Sequence, residues 1–242
     1  MTILNLKNVT LNFAAAGRSI LDGINYEVNH GDFIILLGSN GSGKSTLLKL
    51  LHRDYQASSG QINFMGKPIM QYPAKTFSRD VAVLTQNCSD SLFTSLTIYE
   101  NYLLMKQFSG LLKKSNKLER NFLIQYLADY NANLSRKLDV VIEQLSGGEK
   151  QALALALCFL QPPSLLLLDE HTSALDPKTS DQIMALTQKM ITQHHITCIM
   201  TTHDLNIAMQ YGNRILVLRD GKIYKTLDKT DFLRKEDLVA NY

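Results

Sequence analysis

The stretch from Phe33 to Leu50 constrains the fold of this chain more than any other. It reads FIILLGSNGSGKSTLLKL: an apolar run, a glycine-containing loop and a segment that opens with Lys-Ser-Thr. The run predicts a buried strand and the final segment a helix. The loop matches G-x-x-x-x-G-K-[ST], whose glycines let several backbone N–H groups converge on one phosphate. An ordinary Gly/Ser connection is the alternative, but the complete pattern in this context predicts a nucleoside triphosphate site.

The residues of this loop have separate predicted roles. Lys44 can reach the β- and γ-phosphates, and the helix that starts there directs its positive dipole end at them. Ser45 is expected to place its hydroxyl on Mg²⁺. We call residues 38–46 the phosphate loop; its members are Gly38, Ser39, Asn40, Gly41, Ser42, Gly43, Lys44, Ser45 and Thr46.

The composition is typical of a globular α/β protein and excludes several other classes. The chain has 242 residues, 45% of them hydrophobic, and a formal net charge of +3, which is too small to indicate a nucleic-acid partner. Its 3 cysteines show no paired spacing, so neither a disulfide nor a metal site is expected from them and a reducing compartment is favoured. No apolar run approaches the roughly 20 residues that span a bilayer, and no signal peptide is recognisable. We therefore expect a soluble protein whose membrane role would need a partner.

The N-terminal region predicts an antiparallel β-subdomain. Residues 3–13 and 20–28 alternate polar and apolar side chains around Gly17, which indicates two strands joined by a turn. Phe13 ends the first strand and is the nearest aromatic side chain that could stack on an adenine. A position at the edge of the core explains it equally well.

The middle of the chain predicts an inserted helical lobe. Val81–Thr85 indicates a buried strand ending in Gln86, and the apolar spacing that follows is helical. Thr97, with Glu100 three residues later, is expected to cap one of these helices. From Asn87 to Leu104 the segment carries Leu92 and Phe93, which we interpret as a docking surface for a partner helix; the alternative is that they complete the core of the lobe.

The expected architecture is a single domain over all 242 residues. Residues 1–86 and 161–242 would form a nucleotide-binding α/β core, and 87–160 an α-helical subdomain inserted into it. Near the end, 213–226 predicts a hairpin and 230–241 a short helical tail.

Polar residues at helix and strand ends complete the candidate site. Residues 146–148, Ser-Gly-Gly, form a second N–H-rich helix start, which by itself could be a simple helix cap. An apolar strand, 165–168, delivers Asp169 and Glu170 at its carboxyl end, where ligands bind in open α/β sheets. The aspartate suits Mg²⁺ and the glutamate suits polarising a water, whereas solvated loop carboxylates are the alternative. His203 follows another buried strand and could donate to a γ-phosphate.

Taken together, these segments resemble the ordered motif set of an ABC-family ATPase, and the resemblance covers essentially the whole chain. In order they match Walker A, Q-loop, signature motif, Walker B, D-loop and switch histidine: 38–46, Gln86, 145–151, 165–170, 173–176 and His203. The resemblance implies a P-loop NTPase core with a mixed sheet, an N-terminal antiparallel β-subdomain and an inserted α-helical subdomain that carries the signature.

The resemblance also implies ATP-driven pairing of two copies, head to tail. ATP on the phosphate loop of one chain would meet Ser146, Gly147 and Gly148 of the other. The implied roles are Mg²⁺ ligand for Ser45, Gln86 and Asp169, catalytic base for Glu170, γ-phosphate contact for His203 and Gln86, nucleotide contact for Asp176, and adenine stacking for Phe13.

Three positions depart from the family pattern. Phe13 stands where Tyr is common, Glu149 where Gln is frequent in the signature, and His171 where Pro usually follows the Walker B glutamate. The stretches DEHTSALDPKTS and GSNGSGKSTLL resemble a branch of bacterial uptake ATPases that serves small organic solutes such as aromatic amino acids.

Two functions therefore stand as hypotheses. The first is the energy-coupling ATPase of a bacterial ABC importer, cytoplasmic and peripheral on the inner face of the plasma membrane. Its partners would be integral membrane permease subunits and, indirectly, a solute-binding protein. The second is a soluble ABC ATPase in an assembly or remodelling complex, such as iron–sulfur cluster assembly. A plain nucleotide kinase or GTPase would share the phosphate loop but would not explain 146–149 followed by LLLLDE.

Overall fold

The computed structural model describes residues 1–12, 19–87, 90–108 and 117–231. Its backbone contacts divide the chain into two compact units. The first unit consists of Met1–Val83, Ser164–Glu170 and His195–Tyr242, and the second of Leu84–Pro163 and His171–His194. The domain division at residues 86/87 and 160/161 stays a prediction.

The described part of the chain contains ten strands, which form two sheets, and seven α-helices. The strands are β1 (Thr2–Asn12), β2 (Ser19–Asn29), β3 (Phe33–Leu37), β4 (Ser59–Phe64), β5 (Lys67–Pro68), β6 (Val81–Thr85), β7 (Leu165–Asp169), β8 (Thr197–Thr201), β9 (Arg214–Arg219) and β10 (Lys222–Asp228). The helices are α1 (Lys44–Leu51), α2 (Ala74–Asp80), α3 (Ile98–Phe108), α4 (Lys117–Ala128), α5 (Gly147–Cys158), α6 (Pro177–His194) and α7 (Leu205–Tyr211).

An antiparallel sheet of order β2-β1-β4-β5 forms one layer of the first unit. The predicted pairing of the first two strands is confirmed. Ser58, Ser59 and Gly60 are residue types that favour a turn, but β4 already begins at Ser59. Gly60 has a φ of 85°, and a Cβ there would lie 2.2 Å from the Asn8 carbonyl oxygen, so the glycine permits close pairing where a turn was expected.

A mixed sheet of order β10-β9-β3-β8-β7-β6 forms the second layer, with β6 contributing Val81–Val83 to this unit. Strands β3, β7, β8 and β9 run parallel, whereas β10 pairs with β9 in the antiparallel sense. The four central strands are apolar and buried, as strands covered on both faces must be. Because carboxyl ends of parallel strands share one edge, the segments that follow β3, β7 and β8 converge there.

The core of the first unit lies around α1 and the two sheets. Leu47, Leu48, Leu50 and Leu51 of α1 are buried in one apolar cluster with side chains of both sheets. Burial of each leucine contributes about 1.5–3 kcal/mol, so the cluster anchors the helix that follows the phosphate loop.

In the second unit, residues 152–157 of α5 are all apolar and all buried. Residue Thr97 caps α3 as predicted: its backbone N–H donates to Glu100 over 2.8 Å, and the Glu100 N–H donates to the Thr97 hydroxyl over 3.2 Å. These reciprocal bonds fix the start of α3.

The interpretation of Leu92 as a docking residue is wrong. Leu92 is 4% exposed, whereas its neighbour Phe93 is 51% exposed. The buried side chain of Asn101 holds this segment on α3: Phe93 N–H donates to Asn101 Oδ1 over 2.8 Å, and Asn101 Nδ2 donates to the Phe93 carbonyl over 3.0 Å. The bonds turn Leu92 into the lobe and leave Phe93 outside.

Several elements were not predicted, namely α2, β5 and α7. They are short, and their apolar positions are too few to show a period. Phe13 lies outside the described residues, as does the predicted helical tail beyond residue 231. Across the described ranges, none of the helices combines the length and the apolar character needed to traverse a bilayer.

Candidate active site

The phosphate loop is shaped by its first and last glycines. Gly38 follows β3 with a φ of 152°, and a Cβ there would lie 2.3 Å from the Leu218 carbonyl oxygen and 2.5 Å from Ser42 Oγ. Gly43 precedes α1 with a φ of 106°, a left-handed conformation that side chains rarely adopt. The loop therefore takes this path because glycine stands at both positions.

The turn between β9 and β10 is hydrogen-bonded to the backbone of the phosphate loop. Gly221 N–H donates to the Ser42 carbonyl over 3.1 Å, and the Gly221 carbonyl accepts from the Asp22 N–H over 2.9 Å. Gly221 has a φ of 75°, and a Cβ would lie 2.4 Å from the Ile20 carbonyl oxygen. The sequence indicated only a hairpin turn here. The structure shows that this turn also fixes the loop backbone.

Lys44 is folded back into the loop. Its side chain is 6% exposed, and Nζ donates to the carbonyls of Gly38 over 2.7 Å and Ser39 over 3.1 Å. Burial lowers the pKa of the ammonium, and the negative charges of Glu170 and Asp169 partly offset this effect. The positive charge thus sits where a phosphate carried by the loop amides would be within reach.

Asp169, at the end of β7, is held by two hydroxyl groups. Its Oδ1 accepts from Ser45 Oγ over 3.0 Å and from Thr201 Oγ1 over 2.7 Å. The buried Thr201 hydroxyl also accepts from the Glu170 N–H over 3.0 Å. Thr201 thereby fixes both carboxylate residues, and the sequence analysis missed it. The signal was a polar residue at the end of an otherwise apolar strand next to β7.

Glu170 has a φ of 49°, which is uncommon for a residue with a long side chain. Such a conformation costs on the order of 1–3 kcal/mol and clusters at functional sites. It directs the carboxylate towards the segment that follows β8, where His203 Nε2 lies 2.6 Å from Glu170 Oε1. Five predicted site residues thus meet at the carboxyl edge of the mixed sheet: Lys44, Ser45, Asp169, Glu170 and His203.

In the second unit, Ser146 caps α5. Its hydroxyl accepts from the Glu149 N–H over 3.3 Å, and its own N–H donates to Glu149 Oε2 over 3.1 Å. A Cβ on Gly148 would lie 2.4 Å from the Thr179 methyl group, and one on Gly147 would lie 3.3 Å from a Leu175 methyl group. The two glycines therefore provide the space in which the start of α5 packs on residues 175–179.

Asp176 caps the start of α6. Its Oδ1 accepts from the Thr179 N–H over 3.1 Å. Hydrogen bonds from the Thr179 side chain and backbone hold the pKa of the Asp176 carboxyl below its ordinary value. Asp176 is thus ionised at neutral pH and its backbone position is fixed.

Gln151, on the buried face of α5, joins three segments of the second unit. Its Nε2 donates to the backbone carbonyls of Thr85 over 3.3 Å, Gln86 over 3.4 Å and His171 over 2.5 Å. The Gln86 side chain itself is exposed. Gln151 was predicted only as the last residue of the signature motif. Its bonds could not be predicted, because every residue has a backbone carbonyl and the sequence does not show which ones accept from Gln151.

His171, which follows Glu170, is fully buried. Burial lowers its pKa to about 4, so the ring is neutral at physiological pH. Nε2 lies 3.4 Å from the Thr187 hydroxyl, which itself donates to the Ile183 carbonyl, so Nε2 carries the ring proton. Where the family pattern has a proline, this chain packs a neutral imidazole.

The donor set at the sheet edge fits a magnesium ion. Carboxylate and hydroxyl oxygens are the ligands that Mg²⁺ prefers, and it usually takes one or two carboxylates together with substrate phosphates. Asp169 and Ser45 supply such a pair. In the described part of the chain, no cluster of three or more His, Cys, Asp or Glu side chains could hold a metal by itself.

This chain is similar, in sequence and in structure, to ATP-binding proteins of ABC transporters. The family model described as ABC transporter matches residues 21–173. The chain is 36% identical over 243 residues to a tyrosine transport ATP-binding protein of Clostridioides difficile (strain R20291), covering 98% of this chain and 96% of that protein.

Two solved structures share the fold. The structure of cbiO1 from Clostridium perfringens, described as part of the ABC transporter complex cbiONQ, superposes with a TM-score of 0.81 at 28% identity and covers 99% of this chain and 94% of that chain. The dimeric post-hydrolysis state of the ATP-binding cassette MJ0796, bound to ADP and Pi, gives a TM-score of 0.78 at 26% identity and covers 94% and 99%.

Proposed function

We propose, on the premise that this chain belongs to the ABC transporter family and is an ATPase, that it powers uptake of a small solute by a bacterial membrane transporter. Membership rests on the family match over residues 21–173 and on the relative that is 36% identical along nearly its whole length. It confirms the resemblance, the fold class and the ATPase activity that the sequence analysis expected.

The direction of transport and the class of solute are the first part of the proposal. A relative named for methionine import, 30% identical over 240 residues, supports uptake. The Clostridioides difficile relative is named for tyrosine transport, and the alignment spans both chains almost completely. We therefore take an amino-acid-like solute, with an aromatic amino acid as the first to test. Assembly or remodelling in a complex without a permease is the alternative outcome.

The proposed chemistry uses the residues that meet at the sheet edge. The Lys44 ammonium exchanges the carbonyls of Gly38 and Ser39 for β- and γ-phosphate oxygens, which form stronger charge-assisted bonds. The Glu170 carboxylate accepts the proton of the attacking water, and His203 donates to the γ-phosphate. The 2.6 Å contact between Glu170 Oε1 and His203 Nε2 would orient both groups before the phosphate arrives.

Three side chains would hold magnesium: Ser45, Asp169 and Gln86. Thr201 supports the arrangement by orienting the Asp169 carboxylate. Mg²⁺, when bound, neutralises charge that builds up on the phosphates.

The second nucleotide contact would come from another copy of the chain. Ser146, Gly147 and Gly148 present the N–H-rich start of α5, and Asp176 lies at the start of α6. In an ATP-bound homodimer these groups would face the γ-phosphate held by the partner copy. The dimeric state of MJ0796 supports this arrangement.

The remaining assignments complete the proposed assembly. Phe13 would stack on adenine, and Gln86 would report the nucleotide state to permease subunits in the membrane. A solute-binding protein would deliver the solute to those subunits. The chain would work from the cytoplasm at the inner face of the plasma membrane, as a domain with a core of 1–86 and 161–242 and a helical insertion of 87–160.

The observation that carries the proposed solute is the 36% identity to the tyrosine transport relative over 98% of this chain. The proposed chemistry rests on the contacts that run from Ser45 through Asp169 and Thr201 to Glu170 and His203. The test is uptake of radiolabelled tyrosine by cells that lack this chain and are complemented with variants. Wild type should restore uptake and Lys44→Ala should not. Lys49→Ala removes the same charge from an exposed position of the same helix and is the matched control.

Normal uptake of tyrosine, phenylalanine and tryptophan in cells without the chain would contradict an aromatic amino-acid importer. If iron–sulfur enzyme activity falls in those cells instead, the assembly function is correct.

A further inference from the structure

Glu149 and Lys137 form an ion pair at the first turn of α5. Glu149 Oε1 lies 2.6 Å from Lys137 Nζ, and the two side chains are 9% and 36% exposed. The other carboxylate oxygen, Oε2, accepts from the Ser146 N–H. Both oxygens of Glu149 are thus bonded, one inside the capping arrangement and one to a cation from outside the helix.

The charge of Glu149 bears on what the start of α5 can bind. Burial raises the pKa of this carboxyl, but hydrogen bonds from Lys137 and Ser146 outweigh that effect, so the pKa lies below its ordinary value. A full negative charge therefore stands in the turn whose amides and dipole would attract a phosphate. Lys137 is placed to cancel it.

We propose that Lys137 is a positioning residue for nucleotide binding in trans: its ion pair with Glu149 neutralises the carboxylate and holds the Ser146 cap, so that α5 can receive the γ-phosphate carried by the partner copy. The inference rests on the proposed role of Ser146 in an ATP-bound homodimer. The carboxylate in question is that of Glu149, and a glutamine at this position would have a similar shape but no charge.

The matched comparison follows from the capping geometry. Glutamine in place of Glu149 can still accept from the Ser146 N–H through its carbonyl oxygen, and it carries no charge. A chain with Glu149→Gln should therefore not need Lys137. Removal of Lys137 in the presence of Glu149 should leave a buried, uncompensated charge facing the phosphate.

The experiment measures ATP-driven dimerisation by sedimentation velocity in the Glu170→Gln background, together with the affinity of the single chain for a fluorescent ATP analogue. Lys137→Met and Lys137→Gln should weaken dimerisation by about 10- to 150-fold, the range expected when a hydrogen bond to a charged group is lost. Both should leave the affinity of the single chain unchanged. Adding Glu149→Gln should bring dimerisation to the level of Glu149→Gln alone.

The neighbouring Arg136 offers the control, because Arg136→Met removes the same charge from an exposed side chain. It should dimerise like the Glu170→Gln background. Thermal unfolding of every variant shows whether it is folded. If Lys137→Met does not fold, the result for Lys137→Gln, whose side chain keeps an N–H donor, is the one that tests the inference.

The outcomes separate this inference from the function on which it rests. If the Glu170→Gln chain binds ATP but never dimerises, the composite site fails and this inference fails with it. If that chain dimerises and Lys137 variants dimerise equally well, Lys137 has no such role. A loss that Glu149→Gln does not reverse shows that charge is not the cause, and likewise overturns the inference.

Discussion

His203 Nε2 lies 2.6 Å from Glu170 Oε1. A side chain that follows β7 and one that follows β8 therefore restrain each other. Glu170 reaches this position through a left-handed backbone conformation, with a φ of 49°. The side chain proposed as the base is therefore oriented from two directions: by its backbone, bonded to Thr201, and by the imidazole.

Glu170→Gln should lower ATP turnover by about 10²–10⁴-fold, because a positioned general base contributes that much. Nucleotide affinity should remain, since Lys44 and the phosphate loop are intact. Single-turnover hydrolysis and equilibrium nucleotide binding measure the two effects. Glu27→Gln, the same change on an exposed part of β2, is the control, and wild-type turnover by Glu170→Gln would show that another group is the base.

Thr201→Val should impair magnesium use. The change removes the donor to Asp169 and leaves the Glu170 N–H without its acceptor, which costs about 1–3 kcal/mol in unfolding free energy. Turnover should need a higher Mg²⁺ concentration. Thr197→Val makes the same change at the other end of β8, where the hydroxyl accepts from Gly31; it should lower stability without shifting the Mg²⁺ dependence. Equal shifts in both variants would refute the role of Thr201.

Gln151→Glu should destabilise the second unit. The substitution replaces an amide donor with a carboxylate facing three backbone carbonyls, so we expect a loss of about 2–3 kcal/mol. Thermal unfolding measures the loss, and hydrogen exchange should show faster opening at residues 85–86. Gln125→Glu, on the exposed side of α4, is the matched control. Unchanged exchange at 85–86 would mean that Gln151 does not hold this segment.

His171 should make the folded chain sensitive to acid. Its folded pKa of about 4 lies below the unfolded value of about 6.5, so the unfolded chain binds more protons between these pH values and stability falls as pH falls. Between pH 7.5 and 5.5 this group should remove about 1.3 kcal/mol from the unfolding free energy. His171→Gln should flatten that part of the pH dependence, whereas His30→Gln, at an exposed site, should not. Identical pH profiles for wild type and His171→Gln would contradict the buried neutral ring.

Phe93→Glu should separate transport from hydrolysis. Phe93 is exposed, so the substitution should leave folding and ATP binding intact while weakening association with the permease. Leu92→Glu buries a charge in the lobe and should prevent folding of the second unit. Copurification with the permease and circular dichroism distinguish the two variants. If Phe93→Glu copurifies as wild type does, the docking surface lies elsewhere.

Local sequence patterns predict those parts of the fold and site that adjacent residues determine. The phosphate loop, the strand that ends at Asp169 and the cap at Thr97 each follow from adjacent residues. Leu92 and Phe93 show why the rest was harder, since the two are adjacent and both apolar, yet Leu92 is buried and Phe93 is exposed. Thr201 and Gln151 were missed because their partners lie in segments distant along the chain.

The bond between Gly221 and Ser42 couples the β9–β10 hairpin to the phosphate loop. Whatever binds the loop backbone stabilises the turn that braces it, by the linkage between binding and local opening. Nucleotide should therefore slow amide exchange at Gly221 and Asp22, whose N–H groups bond to Ser42 and to Gly221. Part of the free energy of nucleotide binding therefore depends on the β9–β10 hairpin. A substitution that weakens this hairpin should lower the affinity for nucleotide.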